Sequence, residues 1–159
     1  MLVTELITPF RKAMSKIDAL PVLSRLSPSA VRAHSTDDLS GYAASQSLSL
    51  QCAQEVAKLI QPGWTEIEAA RAMEIWLRDH GVKSFFHKPF VWWGNRTRFD
   101  GVKTYWDYQP TARRLLEGEV FILDVAPIVG GYICDIGFSG VIGENKDFDK
   151  GRDFLASLR

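Results

Sequence analysis

Two aspartates interrupt apolar runs of the sequence, eleven residues apart, at Asp124 and Asp135. Between them lie Gly130 and Gly131, which suit a two-residue hairpin turn because both can take positive φ. With that turn, Asp124 pairs with Gly137 and Asp135 lies two positions away on the diagonal. Side chains alternate along a strand, so both carboxylates are predicted on one face, with Cβ atoms roughly 5–8 Å apart.

Two carboxylates on a mostly apolar face repel each other and are costly to desolvate. A divalent cation between them removes both penalties. Oxygen ligands suit hard or borderline divalent ions, and pairs of ions about 3.5–4 Å apart occur in several classes of hydrolase. Alternatively, one or both aspartates could accept hydrogen bonds from loop backbone. The spacing alone leaves both interpretations open.

Helices are predicted ahead of the aspartates. A helix is predicted over residues 39–60, because a set of mostly apolar residues recurs at three- and four-residue steps and so falls on one face: Leu39, Ala43, Gln46, Leu50, Ala53, Ala57 and Ile60. Thr65 and Glu68 form a capping box, which predicts the start of a second helix. Residues 1–37 are predicted to be an N-terminal extension, with a helix over Met1–Leu20, and residues 38–159 one partial catalytic domain.

Three runs rich in aromatic, β-branched or aliphatic residues predict strands: Ser84–Trp93, Glu119–Val129 and Tyr132–Ile142. Pro89 indicates an edge or a bulge in the first of them. Gly94–Pro110 reads as a long loop of the kind that lines sites, and a further helix is predicted from Asp147. The expected fold is α+β, with helices on one face of a curved, mostly antiparallel sheet and the aspartates on the other.

Composition excludes several classes of function. Nineteen basic residues balance nineteen acidic ones, so no overall field attracts nucleic acid or an anionic membrane. No apolar run approaches the roughly 18–20 residues that span a bilayer, and no signal pattern begins the chain, so we expect a cytoplasmic protein. Cys52 and Cys134 are far apart and form no CxxC motif, which argues against a zinc ribbon.

Four short motifs occur in collinear order around the aspartates. They are Pro-Gly-Trp-Thr-Glu at 62–66, Phe-His-Lys-Pro at 86–89, Trp-Gly-Asn-Arg-Thr at 93–97 and Leu-Glu-Gly-Glu at 116–119. With the aspartate pair, this set resembles the pita-bread metallopeptidases (methionine aminopeptidase, aminopeptidase P, prolidase and creatinase-like proteins). The resemblance covers about residues 40–143 and is nearest to aminopeptidase-P-like Xaa-Pro peptidases.

The resemblance implies that this chain supplies the first half of a pita-bread fold. Asp124 and Asp135 would then be the first two ligands of two divalent ions (manganese, cobalt or zinc), followed in the family by a histidine and two glutamates. The implied activity is hydrolysis of an N-terminal peptide bond, with a peptide as substrate. His87 precedes the site in the family-like order, so it is a candidate catalytic residue; otherwise it is a packed strand position.

The chain departs from the family at several places. Ala126 stands where the family usually has glycine, and Phe138 and Ser139 replace a threonine-containing run. Tyr105 and Trp106 lie where the family has a substrate-contacting histidine. No histidine follows His87, so three ligands are missing. We therefore expect a truncated, inactive chain that associates through an uncovered sheet edge, or alternatively an inactive homologue that acts as a binding module.

The other histidines, tryptophans and cysteines carry weaker expectations. His80 is predicted at a helix C-terminus, where its charge suits the helix dipole, and His34 in solvent. Trp92 and Trp93 are predicted to pack rather than form a substrate platform. Cys134 adjoins Asp135 and is therefore predicted to point to the opposite face.

Overall fold

The computed structural model describes residues 35–158, which form three α-helices and a four-stranded sheet. The helices are α1 (Thr36–Leu59), α2 (Glu66–Asp79) and α3 (Lys146–Ser157), and the strands are β1 (Ser84–Trp93), β2 (Val120–Val129), β3 (Tyr132–Ile133) and β4 (Ile136–Val141). The predicted helix over Met1–Leu20 lies outside the described residues. All but the last three positions of the predicted extension 1–37 do too, so the extension stays a prediction.

Side-chain caps define where the first two helices begin. The Ser35 hydroxyl accepts a hydrogen bond from the Asp38 amide (3.1 Å), and the Asp38 carboxylate accepts one from the Ser35 amide (2.9 Å). The predicted capping box of α2 is confirmed, with Thr65 and Glu68 in the same reciprocal arrangement. Each such cap stabilises its helix by about 1 kcal/mol, because it satisfies amides that have no partner within the helix.

Strand β2 is the centre of the sheet, with β1 antiparallel on one side and β3 and β4 antiparallel on the other. The predicted turn is confirmed: Val129 pairs with Tyr132 and Asp124 pairs with Gly137. The predicted continuous strand Tyr132–Ile142 is wrong. It breaks at Cys134–Asp135, between β3 and β4, and no residue in the sequence marks that break.

The two faces of the sheet have different neighbours. Alternate strand residues bury against α1 and α2 in one core, to which the strands contribute Val91, Trp93, Phe121, Leu123 and Val125 and the helices Cys52, Val56, Met73 and Leu77. The intervening residues, among them Phe90, Ile122 and Asp124, lie on the opposite face and line a cavity. The α+β fold is therefore confirmed, with α1 and α2 on one side of the sheet and the aspartates on the other.

Strand β1 contains two bulges on either side of His87. Phe85 pairs with Pro127, His87 with Ala126 and Phe90 with Asp124, so β1 has one more residue than β2 in each interval. Residues three apart in a regular strand point to opposite faces, but the second bulge lets His87 and Phe90 face the same way. This confirms the irregularity that Pro89 predicts.

The predicted loop Gly94–Pro110 contains two short 3₁₀ helices, Gly94–Arg98 and Tyr105–Tyr108. Glu66, fully buried in the first turn of α2, anchors both ends of this loop. Its carboxylate accepts hydrogen bonds from the Trp93 amide (3.0 Å), from Arg96 Nε (2.9 Å), and from the amide (2.8 Å) and hydroxyl (2.6 Å) of Thr111. The loop is thus tied to the helix layer through one carboxylate.

Between Ser35 and Leu158, none of the helices has the length and apolar character needed to cross a membrane.

Candidate metal centre

The carboxylates of Asp124 and Asp135 converge on the face of the sheet opposite α1 and α2. Asp124 extends from the middle of β2, and Asp135 lies in the break between β3 and β4. One carboxylate oxygen of each, together with a ring nitrogen of His87, forms a group whose atoms all lie within 4.8 Å of one another. The structure thus brings together all three of the residues that the sequence analysis singled out for the site.

His87 approaches both carboxylates through Nε2, at 3.8 Å from Asp124 Oδ1 and 3.5 Å from Asp135 Oδ1. Its Nδ1 lies 2.8 Å from the Lys88 carbonyl oxygen. A carbonyl oxygen can only accept a hydrogen bond, so Nδ1 carries a proton, and in the neutral tautomer of this ring Nε2 would offer its lone pair on the side of the carboxylates. The ring also stacks on Phe90, with centroids 4.7 Å apart and planes at 9°.

Asp124 is the electrostatically strained member of the group. Burial, and next the charge of the nearby Asp135 carboxylate, raise the pKa of Asp124 from 3.8 to about 7, against the opposing influence of His87. Its Oδ1 is buried and has no hydrogen-bond partner among the described residues. A buried carboxylate oxygen without a partner is costly.

These observations fit a divalent cation. The Asp124 oxygen without a partner in the described part of the chain, the second carboxylate and the His87 ring would supply two oxygen ligands and one nitrogen ligand, a set that suits borderline ions such as zinc, cobalt or manganese. A cation would provide the missing partner for Asp124 Oδ1 and neutralise the repulsion between the carboxylates. The Asp135 side chain is 57% exposed and lines the cavity, so this side of the group is accessible from solvent.

The group lies at the edge of a cavity of about 530 Å³. The other walls are mainly aromatic and come from β1 and the loop that follows it: Phe90, Trp92, Phe99, Tyr105 and Tyr108. The Trp92 indole donates from Nε1 to the Tyr108 carbonyl (2.9 Å), which ties the loop to the strand. The cavity therefore places an apolar, π-rich surface beside a charged one.

Among the residues that the structure describes, the other histidines, tryptophans and cysteines that the sequence analysis considered lie outside the group of His87, Asp124 and Asp135. His80 ends α2, with Nδ1 2.8 Å from the Trp76 carbonyl oxygen, as expected. Trp93 is fully buried in the core on the helix side of the sheet, as expected. Trp92 is also buried, but it lines the cavity, whereas the sequence predicted only a packing role for it. Cys134 contacts Ser49 of α1, away from the carboxylates, as expected. His34 lies outside the described residues.

Sequence reasoning missed part of the cavity wall. Tyr105 lines the cavity and Trp106, 76% exposed, does not, although the sequence placed both in the same neighbourhood. Phe99 and Tyr108 gave no signal beyond their position in a long loop. In the sequence, Glu66 is visible only as part of a helix-start motif. Its burial depends on an ion pair with Arg96, thirty residues away, which the sequence does not indicate.

The profile of metallopeptidase family M24 matches residues 40–156. The chain belongs to metallopeptidase family M24. A search among curated protein sequences finds no match.

Solved structures resemble this M24 chain in fold. An X-Pro aminopeptidase from Thermotoga maritima superposes with a TM-score of 0.65 at 21% identity, over 74% of this chain and 32% of that one. A Xaa-Pro dipeptidase from Bacillus anthracis superposes with a TM-score of 0.64 at 20% identity, over 74% of this chain and 31% of that one. A recombinant prolidase from Thermococcus sibiricus superposes with a TM-score of 0.65 at 20% identity, over 91% of this chain and 39% of that one.

The M24 chain therefore spans about a third of the length of these solved relatives. Its helices and mostly antiparallel sheet match the N-terminal part of the M24 pita-bread fold, which confirms the predicted fold and family. At identities near 20% the likeness shows the fold alone. What the site does must be argued from its own residues.

Proposed function

We propose that this chain contributes Asp124 and Asp135 to the dinuclear centre of a metallo-exopeptidase that acts on an N-terminal peptide bond. The observation that carries the proposal is the convergence of the two carboxylates, with one buried oxygen lacking any partner among the described residues. Membership of family M24 supports the same chemistry.

Divalent ions at such a centre activate a water molecule and polarise the scissile carbonyl. The chain's own residues would have three tasks. Asp124 and Asp135 hold the ions, His87 borders the reacting group, and the aromatic wall around Trp92 and Tyr108 excludes water and takes the apolar part of the peptide. Among these residues only the two carboxyl groups become anionic near neutral pH, so they set the affinity for cations.

The solved relatives include an X-Pro aminopeptidase, a Xaa-Pro dipeptidase and a prolidase. We therefore propose peptides with proline in the second position as the first substrates to test. A prolyl ring is compact and apolar, and the aromatic cavity offers the surface to receive it.

The family's ligand pattern continues after the second aspartate with a histidine and two glutamates, and the three histidines of this chain, His34, His80 and His87, all precede Asp124. Two carboxylates would leave each ion mostly coordinated by water. We accordingly expect the 159-residue chain by itself to have little or no peptidase activity.

The test compares two forms of the protein with Xaa-Pro dipeptides and tripeptides, with and without manganese, cobalt or zinc. The first is this chain, expected to be inactive. The second is a form extended with the coding sequence downstream of Arg159, if that sequence supplies a histidine and two glutamates, and it is expected to be active and chelator-sensitive. Asp124→Asn should lower its activity by more than about 100-fold, because even outer-shell partners of a metal are worth 10–100-fold.

A binding module without hydrolysis is the second candidate function. Ala126, which replaces the family's usual glycine, is fully buried directly opposite His87, so this part of the site differs from an active member of the family. Metal content distinguishes the two functions. An extended form that carries all five ligands, contains no metal as purified and cleaves no peptide would support the module and contradict the peptidase.

A further inference from the structure

We propose that His87 is itself a metal ligand, so that His87 Nε2, Asp124 and Asp135 form a three-ligand site within this chain. The proposal rests on the proposed function for the two carboxylates and goes beyond it. The family pattern places its ligands at and after the first aspartate, whereas His87 lies on β1, the strand that precedes them.

The distances decide against a hydrogen bond. His87 Nε2 lies 3.8 Å from Asp124 Oδ1 and 3.5 Å from Asp135 Oδ1, and contacts of that length between nitrogen and oxygen are too long for good hydrogen bonds. Two ligands of one ion, each about 2.0–2.2 Å from it, lie about 2.8–3.6 Å apart at octahedral or tetrahedral angles. An ion could therefore be bound by all three groups after shifts of a few tenths of an ångström.

The imidazole is also held as a metal ligand is held. Metal-binding histidines donate a hydrogen bond from their second nitrogen to a carbonyl or carboxylate, which fixes the tautomer and the ring plane. His87 does this through Nδ1 to the Lys88 carbonyl, and Phe90 supports the ring by stacking. Its Nε2 is the ring nitrogen nearer the carboxylates, 3.8 Å from Asp124 Oδ1 and 3.5 Å from Asp135 Oδ1.

The backbone of β1 accounts for the position of the ring. The second bulge places His87 opposite Ala126 while Phe90 lies opposite Asp124, so that both rings are on one face of the sheet. Bulges often re-aim side chains beside sites. The side chain of Ala126 is small, so nothing longer than a methyl group projects from the residue opposite His87.

A nitrogen ligand changes which ions the site prefers. Carboxylates alone suit magnesium, calcium or manganese, whereas an imidazole favours cobalt, nickel and zinc. We therefore expect the 159-residue chain to bind Co²⁺ or Zn²⁺ more tightly than Mg²⁺, and this preference to depend on His87.

The test is calorimetric titration of Co²⁺ into the chelator-treated chain, with the visible absorption of bound Co²⁺ as a second readout. His87→Phe keeps an aromatic ring on Phe90 but removes the lone pair, and we expect it to weaken Co²⁺ binding by at least about tenfold and to change the absorption. Mg²⁺ binding should change little. His80→Phe is the matched control, because His80 ends α2 outside the site, and it should bind as the unmodified chain does.

The outcomes distinguish the proposal that His87 is a ligand from the proposal that Asp124 and Asp135 bind metal. Unchanged Co²⁺ affinity in His87→Phe, with loss of binding in Asp124→Asn, would overturn the histidine ligand and leave the carboxylate pair standing. Unchanged affinity in both variants would place the ion elsewhere and contradict both proposals. A chain that binds no Co²⁺ at millimolar concentration would overturn the three-ligand site. If His87→Phe does not fold, His87→Gln replaces it, and ¹⁵N NMR of the unmodified chain with Zn²⁺ reports directly whether Nε2 is bound.

Discussion

At Asp124 the chain places a carboxyl group where burial and a second carboxylate both oppose its ionisation. The pKa of Asp124 is raised from 3.8 to about 7. Because the pKa in the folded state lies above that in the unfolded state, this group's contribution to stability is fully present below about pH 4 and is lost as the pH rises through 7. The metal-free chain should therefore become less stable over that range.

Asp124→Asn should remove that loss. In the presence of a chelator, we expect the variant to exceed the unmodified chain in free energy of unfolding by roughly 1–3 kcal/mol at pH 8, after allowance for solvent screening, and by much less at pH 4. Urea denaturation at both pH values measures this. The control is Asp100→Asn, an exposed carboxylate in a turn, which should show no such difference. An Asp124→Asn variant that is less stable at pH 8 would contradict the repulsion.

The two cysteines should differ in reactivity. Cys52 is fully buried, and burial raises the pKa of its thiol to about 12. Cys134 is partly exposed, although burial raises the pKa of its thiol too. The thiolate is the reactive species, so at pH 8 an aromatic disulfide reagent should modify Cys134 rapidly and Cys52 only after unfolding.

Counting thiols with and without denaturant measures this difference. Cys134→Ser should leave no fast-reacting thiol in the native chain. Two fast thiols under native conditions would show that α1 opens readily from the sheet.

At the scale of elements, the hairpin could be predicted because Gly130 and Gly131 determine the turn, and the turn determines the register that brings Asp124 and Asp135 to one face. The position of His87 could not, because alternation along a regular strand separates it from Phe90. Pro89 indicates that β1 is irregular, but not how many extra residues it holds or on which side of His87 they lie.

The predicted apolar face of α1 is buried only towards the C-terminal end of the helix. Ala53 and Ile60 are buried there, whereas Leu39 and Leu50 are 59% and 39% exposed, and Ser45 and Ser49 are fully buried instead. The Ser45 hydroxyl donates to the Tyr132 carbonyl (3.2 Å), so small polar residues form the contact with the sheet. A hydrophobicity pattern predicts that such serines are exposed, because the pattern contains no information about the backbone acceptor that lies opposite them in the fold.

Glu66 makes the connection between α2 and the loop testable. Glu66→Gln keeps the shape but removes the charge that neutralises Arg96 and reduces its capacity to accept four hydrogen bonds. We expect a loss of about 2–4 kcal/mol in the free energy of unfolding, together with faster amide exchange across Gly94–Pro110.

The matched control is Glu74→Gln, on the same helix, where the carboxylate forms surface ion pairs with Arg78 and Lys88. Exposed pairs contribute little, so this variant should lose less than about 1 kcal/mol and leave exchange in the loop unchanged. Equal effects of the two substitutions, or a loop whose exchange does not respond to Glu66→Gln, would contradict the anchoring role.

At the scale of the whole molecule, the structure indicates which surface should mediate self-association of the chain. The run Phe121–Leu123 lies in β2, which is paired on both sides and therefore offers no free sheet edge. Three strongly exposed apolar side chains lie close together in the sequence on and just after α3: Phe154 at 62%, Leu155 at 63% and Leu158 at 67% exposure. Contiguous apolar surface of this kind favours association.

We therefore expect the 159-residue chain to self-associate at micromolar concentrations through the Phe154–Leu158 segment. Sedimentation velocity over a concentration series measures it. The double variant Phe154→Gln, Leu155→Gln should remain monomeric, whereas Phe86→Gln, which removes an equally exposed phenylalanine from β1, should associate like the unmodified chain. A chain that is monomeric throughout the series would rule out this surface.

The bulges of β1 also bear on how the length of this segment can vary. Phe86, 64% exposed, is the extra residue of the first bulge, and either Lys88 or Pro89 is the extra residue of the second. Removing an extra residue would shorten the strand yet leave both flanks paired as before, with histidine still opposite alanine. A deletion among the regular pairs, as at Val91, would instead rotate every following side chain to the other face. Single-residue gaps should therefore be tolerated at the bulges and nowhere else along β1.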